Sequence, residues 1–184
     1  MNFERKNFIA ITGGPGTGKT TLLKSLEQKG YHTVAEVARQ IIREQIETQG
    51  DALPWKNKEL YTQLMLKGSV EVYMQALKNS PDSVTFFDRG IPDSLCYAEM
   101  TRQVITPSMY DTALNYRYNT SVFILPPWEE IYHTDDERKQ DWEEAVNTYH
   151  CMKNTYEKYG YQTIEVPKSE IDIRTDFILE QLHI

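Results

Sequence analysis

The chain is short of cysteine, of long apolar runs and of positive charge, and each shortage removes a class of protein. Cys96 and Cys151 are the only 2 cysteines in 184 residues, too few and too far apart for a disulfide scaffold or a zinc knuckle. Both fall inside helix-like patterns and read as buried, reduced thiols. No stretch approaches the ~20 apolar residues that a membrane span needs. The apolar run Phe8 to Ile11 leads straight into glycines, so it reads as a strand and not as a secretion signal, and a cytoplasmic protein is expected. Lys and Arg number 20 against 27 Asp and Glu, a net charge of −7. A nucleic-acid partner calls for a basic excess or a dense Lys/Arg stripe, and neither is present. A small basic pocket for a small anion is compatible with that balance. The 4 histidines are scattered without metal-ligand spacing. With no internal repeat, low-complexity tract or Ser/Gly-rich linker, residues 1–184 read as one domain.

What is present is alternation. Phe8–Thr12, Thr33–Glu36, Val84–Asp88, Ser121–Leu125 and Gln162–Val166 are strand-like, and turn residues or a helix start follow each. Trp142, Ala145, Val146, Tyr149, Met152, Tyr156 and Tyr159 recur at helical spacing. Asp141 with Glu144 resembles a capping box before them, and Gly160 suits a helix stop behind them. Tyr61, Met65, Val72 and Ala76 mark another long helix. Such β-α alternation predicts a three-layer α/β domain around a five-stranded parallel sheet, whose strand order spacing alone does not give.

One motif carries specific chemistry. Gly13-Gly14-Pro15-Gly16-Thr17-Gly18-Lys19-Thr20 fits the Walker A pattern, with a strand before it and a helix over Thr21–Gln28 behind it. Glycines let successive backbone N–H groups face phosphate oxygens, and the helix N-terminus adds its positive dipole. Lys19 supplies a compact positive charge to the β- and γ-phosphates, and the Thr20 hydroxyl can ligand Mg²⁺. Gly13 to Thr21 is therefore the expected phosphate-binding set, for ATP or GTP.

In open α/β sheets ligands bind beyond the carboxyl ends of the strands. Strand two ends in Glu36 and strand three in Asp88-Arg89. Asp88 closes a Walker B-like strand and can bind Mg²⁺ or orient an attacking hydroxyl; the alternative is a cap on the following helix, for which Asp93 is better placed. Glu36 and Arg39, three residues apart, suit a substrate hydroxyl beside a substrate anion, or else form a minor surface ion pair. The polar connection over 126–141 reads as a lid, with Arg138 as a finger for transition-state charge, or as a solvated helix start.

Taken together, Gly13–Leu22, Glu36–Ile42, Phe87–Asp93 (Phe-Asp-Arg-Gly-Ile-Pro-Asp) and Pro126–Trp128 with Thr134–Glu144 resemble a family of small P-loop AAA-type, kinase-like domains. That family includes the ribosylnicotinamide kinase domain of the bifunctional NAD-biosynthesis regulator. The resemblance implies strand order 2-3-1-4-5, Mg²⁺-ATP as ligand, Arg138 as lid arginine, and a nucleotide base beside Val166-Pro167-Lys168-Ser169. The expected activity is phosphoryl transfer to a small hydroxyl-bearing metabolite, a nucleoside among the candidates. Lys19, Glu36, Asp88 and Arg138 are then the catalytic set, Thr20 and Asp88 hold the metal, and Glu36, Arg39 and Arg89 bind the substrate. The alternative is a nucleotide-dependent switch or NTPase with no small-molecule acceptor.

Overall fold

The computed structural model describes residues 3–131 and 142–184. Seven strands are present among them: β1 Phe3–Glu4, β2 Phe8–Gly13, β3 His32–Val34, β4 Thr85–Asp88, β5 Tyr116–Arg117, β6 Ser121–Leu125 and β7 Gln162–Glu165. The helices are α1 Lys19–Gln28, α2 Val37–Glu47, α3 Lys58–Asn79, α4 Ile91–Met100, α5 Pro107–Asn115, α6 Trp142–Lys158 and α7 Ile171–Leu182. Five strands form one parallel sheet in the order β3-β4-β2-β6-β7. Numbered among themselves from the N-terminus, these read 2-3-1-4-5. The two-residue strands β1 and β5 pair separately and were not anticipated; runs that short leave no periodicity to read.

Alternation along β2 explains the three layers, because successive side chains of a strand leave by opposite faces. Ile9 and Ile11 pack with Leu22 and Leu26 of α1, Phe86 of β4 and Ile178 of α7. Phe8 and Ala10 face the other way, into Tyr73 of α3, Leu95 of α4 and Tyr156 of α6. The sheet is thus covered on both sides, as a parallel sheet must be. On the second face Phe8, Tyr73, Phe87 and Tyr118 meet ring to ring at 5.1–5.3 Å between adjacent centroids, a spacing that favours edge and tilted contacts. No described helix is long and apolar enough to cross a membrane.

Two element ends differ from expectation. Strand β3 stops at Val34, and Glu36 is the N-cap residue of α2 in extended backbone, with no side-chain cap hydrogen bond. Its carboxylate is engaged elsewhere. Trp142 opens α6 but is exposed, while Ala145, Tyr149, Met152 and Tyr156 are buried. Asp141, the expected cap, lies outside the described residues.

Candidate functional site

The phosphate loop grows out of β2, the central strand. Its first glycine is required by close approach: a Cβ on Gly13 (φ 144°) would stand 2.8 Å from the Leu125 carbonyl oxygen of neighbouring β6. Thr17 Oγ1 donates to the Gly14 carbonyl at 2.9 Å and closes the loop on itself. Lys19 heads α1 yet folds back, its Nζ donating to the Gly13 and Gly14 carbonyls at 2.8 and 3.2 Å. Only 7% of Lys19 is exposed. Burial and the neighbouring Arg89 charge pull the ammonium down to about 8, against the opposing influence of Asp88, Glu36 and Asp93. A poorly compensated buried cation is what an incoming polyphosphate stabilises.

Register brings the second strand end alongside. Ile11 of β2 pairs with Asp88 of β4, and the Arg89 N–H continues the ladder to the Ile11 carbonyl at 2.9 Å. Among the described residues Asp88 Oδ1 is buried without a hydrogen-bond partner. Burial raises the Asp88 carboxyl above its ordinary value, with Lys19 acting the other way. It lies among the charges of Lys19, Glu36 and Arg89. The capping work belongs to Asp93, whose Oδ2 accepts the Gly90 N–H at 2.8 Å.

Arg89 adopts a left-handed backbone (φ 70°), which costs a non-glycine residue of order 1 kcal/mol or more and marks a constrained turn. That turn aims the guanidinium across the site: Nε donates to Glu36 Oε1 at 2.8 Å and Nη1 to Asp93 Oδ1 at 3.3 Å. Gly90 follows because a Cβ there would meet the Tyr156 hydroxyl at 2.8 Å and the Tyr118 ring at 3.0 Å. Glu36 holds two arginines, one per oxygen, with Arg39 Nε 3.0 Å from Oε2. Burial pushes the Glu36 carboxyl up, but Arg89, Lys19 and Arg39 outweigh it, and the group sits below its ordinary value.

Lys19, Glu36, Asp88 and Arg89 therefore converge, with Arg39, about half exposed, on the rim. Thr20 lies one residue into α1 from Lys19, on the exposed side. Thr20 and Asp88 suit a divalent cation: a hydroxyl at the phosphate loop and a carboxylate oxygen with no other partner among the described residues are hard oxygen donors of the type Mg²⁺ takes. Arg138 and most of the 126–141 connection lie outside the described residues; before them Glu129–Ile131 forms one 3₁₀ turn.

Two residues outside the expected catalytic and binding sets support the site, Asp93, expected only as a helix cap, and Arg174. Asp93 is a hub: Oδ1 accepts from Thr12 Oγ1 (2.5 Å) and Arg89, and Oδ2 from Tyr156 Oη (2.5 Å) and Gly90 N. Arg174 of α7 is 5% exposed and donates to the Thr17 carbonyl at 2.9 Å. Its Nη1 occupies the space where a Gly18 Cβ would lie, 2.8 Å away. The Asp-Arg-Gly-Ile-Pro-Asp segment hinted at the first; no local signal pointed to the second.

Known proteins share this fold. A stretch of 41 residues is 51% identical to the dephospho-CoA kinase of Helicobacter pylori, amounting to 21% of this chain and 21% of that protein. The fold overlays on the NadR protein solved in complex with NR, with a TM-score of 0.73 at 16% identity, over 98% of this chain and 52% of that one. The chain thus spans about half of that larger protein. It also overlays on the deoxyadenosine kinase of M. mycoides solved with dCMP and dCDP, with a TM-score of 0.58 at 15% identity, over 96% of this chain and 98% of that one. The AAA domain family model matches residues 8–174, from the strand ahead of the phosphate loop to the arginine that braces it, and the chain belongs to that family as a P-loop domain of kinase-like fold.

Proposed function

We propose that the chain is an ATP-dependent phosphotransferase acting on a hydroxyl of a small metabolite of nucleoside type. The observation that carries this reading is Asp88: a carboxylate oxygen buried without a partner among the described residues, beside a buried lysine of a phosphate loop. A plain nucleotide sensor has no use for a second half-buried carboxylate and an arginine fixed opposite it.

The residues divide the work. Loop N–H groups and Lys19 hold the β- and γ-phosphates, and Lys19 leaves its own loop's carbonyls to do so. Thr20 and Asp88 would hold Mg²⁺, which neutralises phosphate charge. The acceptor hydroxyl lies against Glu36 and Arg89. Phosphoryl transfer runs through a loose transition state, so placing that hydroxyl in line matters more than early proton removal. Glu36, held by two arginines, is a poor base and a good anchor, and Asp88, as a carboxylate that would hold the metal, orients the acceptor hydroxyl beside it. Arg138 is the lid arginine that the family resemblance implies, a charge for the transition state. The nucleotide base rests toward Trp128 and Lys168, which line an open hollow of about 320 Å³.

ADP formation measured with and without a panel of nucleosides, nicotinamide riboside included, tests the reading. Acceleration by at least one acceptor is expected. No acceleration across the panel would turn the assignment to the nucleotide switch.

A further inference from the structure

Cys96 of α4 and Cys151 of α6 bring their sulfurs to 3.1 Å, although 55 residues separate them in the chain. They meet at the seam between the two helices, packed with Ile124, Tyr149 and Met152. Neither takes part in the phosphate-site chemistry. Cys96 is buried and Cys151 half-buried, so the pair has one solvent-facing member and one sheltered behind it. The Cys96 thiol donates to the Cys151 sulfur. That bond pulls the Cys151 thiol below its ordinary value despite partial burial, and the same bond, together with burial, pushes Cys96 up. A more acidic, reachable thiol touching a less acidic, sheltered one is the arrangement of an attacking and a resolving cysteine.

We propose that Cys96 and Cys151 form a reversible oxidation site that closes to an intramolecular disulfide by exchange with a small-molecule disulfide of the glutathione class. The Cys151 thiolate attacks one sulfur of the small disulfide, forming a mixed disulfide and expelling one small thiolate. Cys96 then attacks the Cys151 sulfur, and the second small thiolate leaves, taking the Cys96 proton with it. Two protein thiols lose two electrons and two protons between them, and one small disulfide becomes two thiols.

The bond would clamp the seam that supports Arg89. On one side α4 carries Asp93, and on the other α6 carries Tyr156, which donates to Asp93, and Met152, whose sulfur lies 3.7 Å from Thr12 Oγ1 and 3.9 Å from Arg89 Nη1. Cross-linking residues so far apart in sequence also restricts the unfolded chain, so oxidation should raise the thermal midpoint.

The test equilibrates the whole chain with excess oxidised glutathione, then denatures, alkylates and weighs it. Expected are a mass lower by two hydrogens with no adduct, no alkylated thiol, a joined pair of peptides bearing Cys96 and Cys151, and a raised thermal midpoint. Excess reduced glutathione should reverse all four. Cys96→Ser should stop at one glutathione adduct on Cys151. A wild-type chain that keeps both thiols, retains a stable adduct, or links to a second molecule instead overturns the proposal, and that measurement depends on no variant folding.

Discussion

Lys19 hydrogen-bonds to the carbonyls of Gly13 and Gly14, the loop it serves. No other side chain of that loop is basic, so Lys19→Ala should remove most nucleotide binding. A ligand at 100 times its Kd stabilises its protein by about 2.7 kcal/mol. The wild type should show the corresponding thermal shift with Mg²⁺-ATP, and Lys19→Ala next to none. Protonation supplies a second check. The folded value of about 8 lies below the ordinary 10.5, so the free fold loses stability as pH falls from 10.5 toward 8 and carries the full cost below 8. Phosphates remove that cost by pairing with the ammonium. At pH 8 the free lysine is about half neutral, and nucleotide binding should take up about half a proton. Titration calorimetry of ADP without divalent metal, in buffers of differing ionisation enthalpy, measures this uptake. Proton release, or none at all, would count against the buried-lysine account.

Among the elements, the junction of β4, α4 and α6 decides most. Asp93 is buried and accepts from Thr12, Arg89, Gly90 and Tyr156, and leaving buried donors unpaired costs about 1–3 kcal/mol or more. Asp93→Ala should therefore lower unfolding stability by that amount in denaturant titrations. Tyr156→Phe, which removes one hydrogen bond to the same carboxylate, should cost about 1 kcal/mol. Equal effects would contradict the hub. Arg89→Lys keeps the charge but not the fork that reaches two carboxylates at once, and should impair turnover more than stability. What was legible here followed locality. The phosphate loop, Asp88 and Arg89 could be read because glycine spacing and strand ends are properties of a few adjacent residues. The Thr12–Asp93 and Arg174–Thr17 contacts join residues 81 and 157 positions apart, and no periodicity encodes such meetings. Glu36 was placed on a strand because Thr33-Val34-Ala35 reads as extended; the cap of α2 won because Val34 is the last residue that β4 pairs with.

For the molecule as a whole, β-α alternation announced the parallel sheet, while the order of its strands came from resemblance. The cysteines show the same divide: sequence distance argued against pairing, and only the packing of α4 on α6 brings the sulfurs together. The lid belongs to this scale too. If Arg138 completes the site on closure, Arg138→Ala should lower kcat by about 10²-fold or more and leave nucleotide affinity nearly intact, because such a charge acts where charge develops. Normal turnover would make that segment a solvated connection.

As proposed, Lys19, Asp88 and the Glu36–Arg89 pair form one phosphoryl-transfer centre. Its most direct measurement follows the γ-phosphoryl group of labelled ATP into a nucleoside mixture, with products resolved by mass spectrometry, for wild type, Asp88→Asn and Glu36→Gln. The account predicts a labelled phosphomonoester with the wild type. It predicts a loss of transfer of roughly 10²–10⁴-fold in Asp88→Asn, and in Glu36→Gln a weaker hold on the acceptor, seen mainly in KM. Label found only in inorganic phosphate for all three proteins would contradict it.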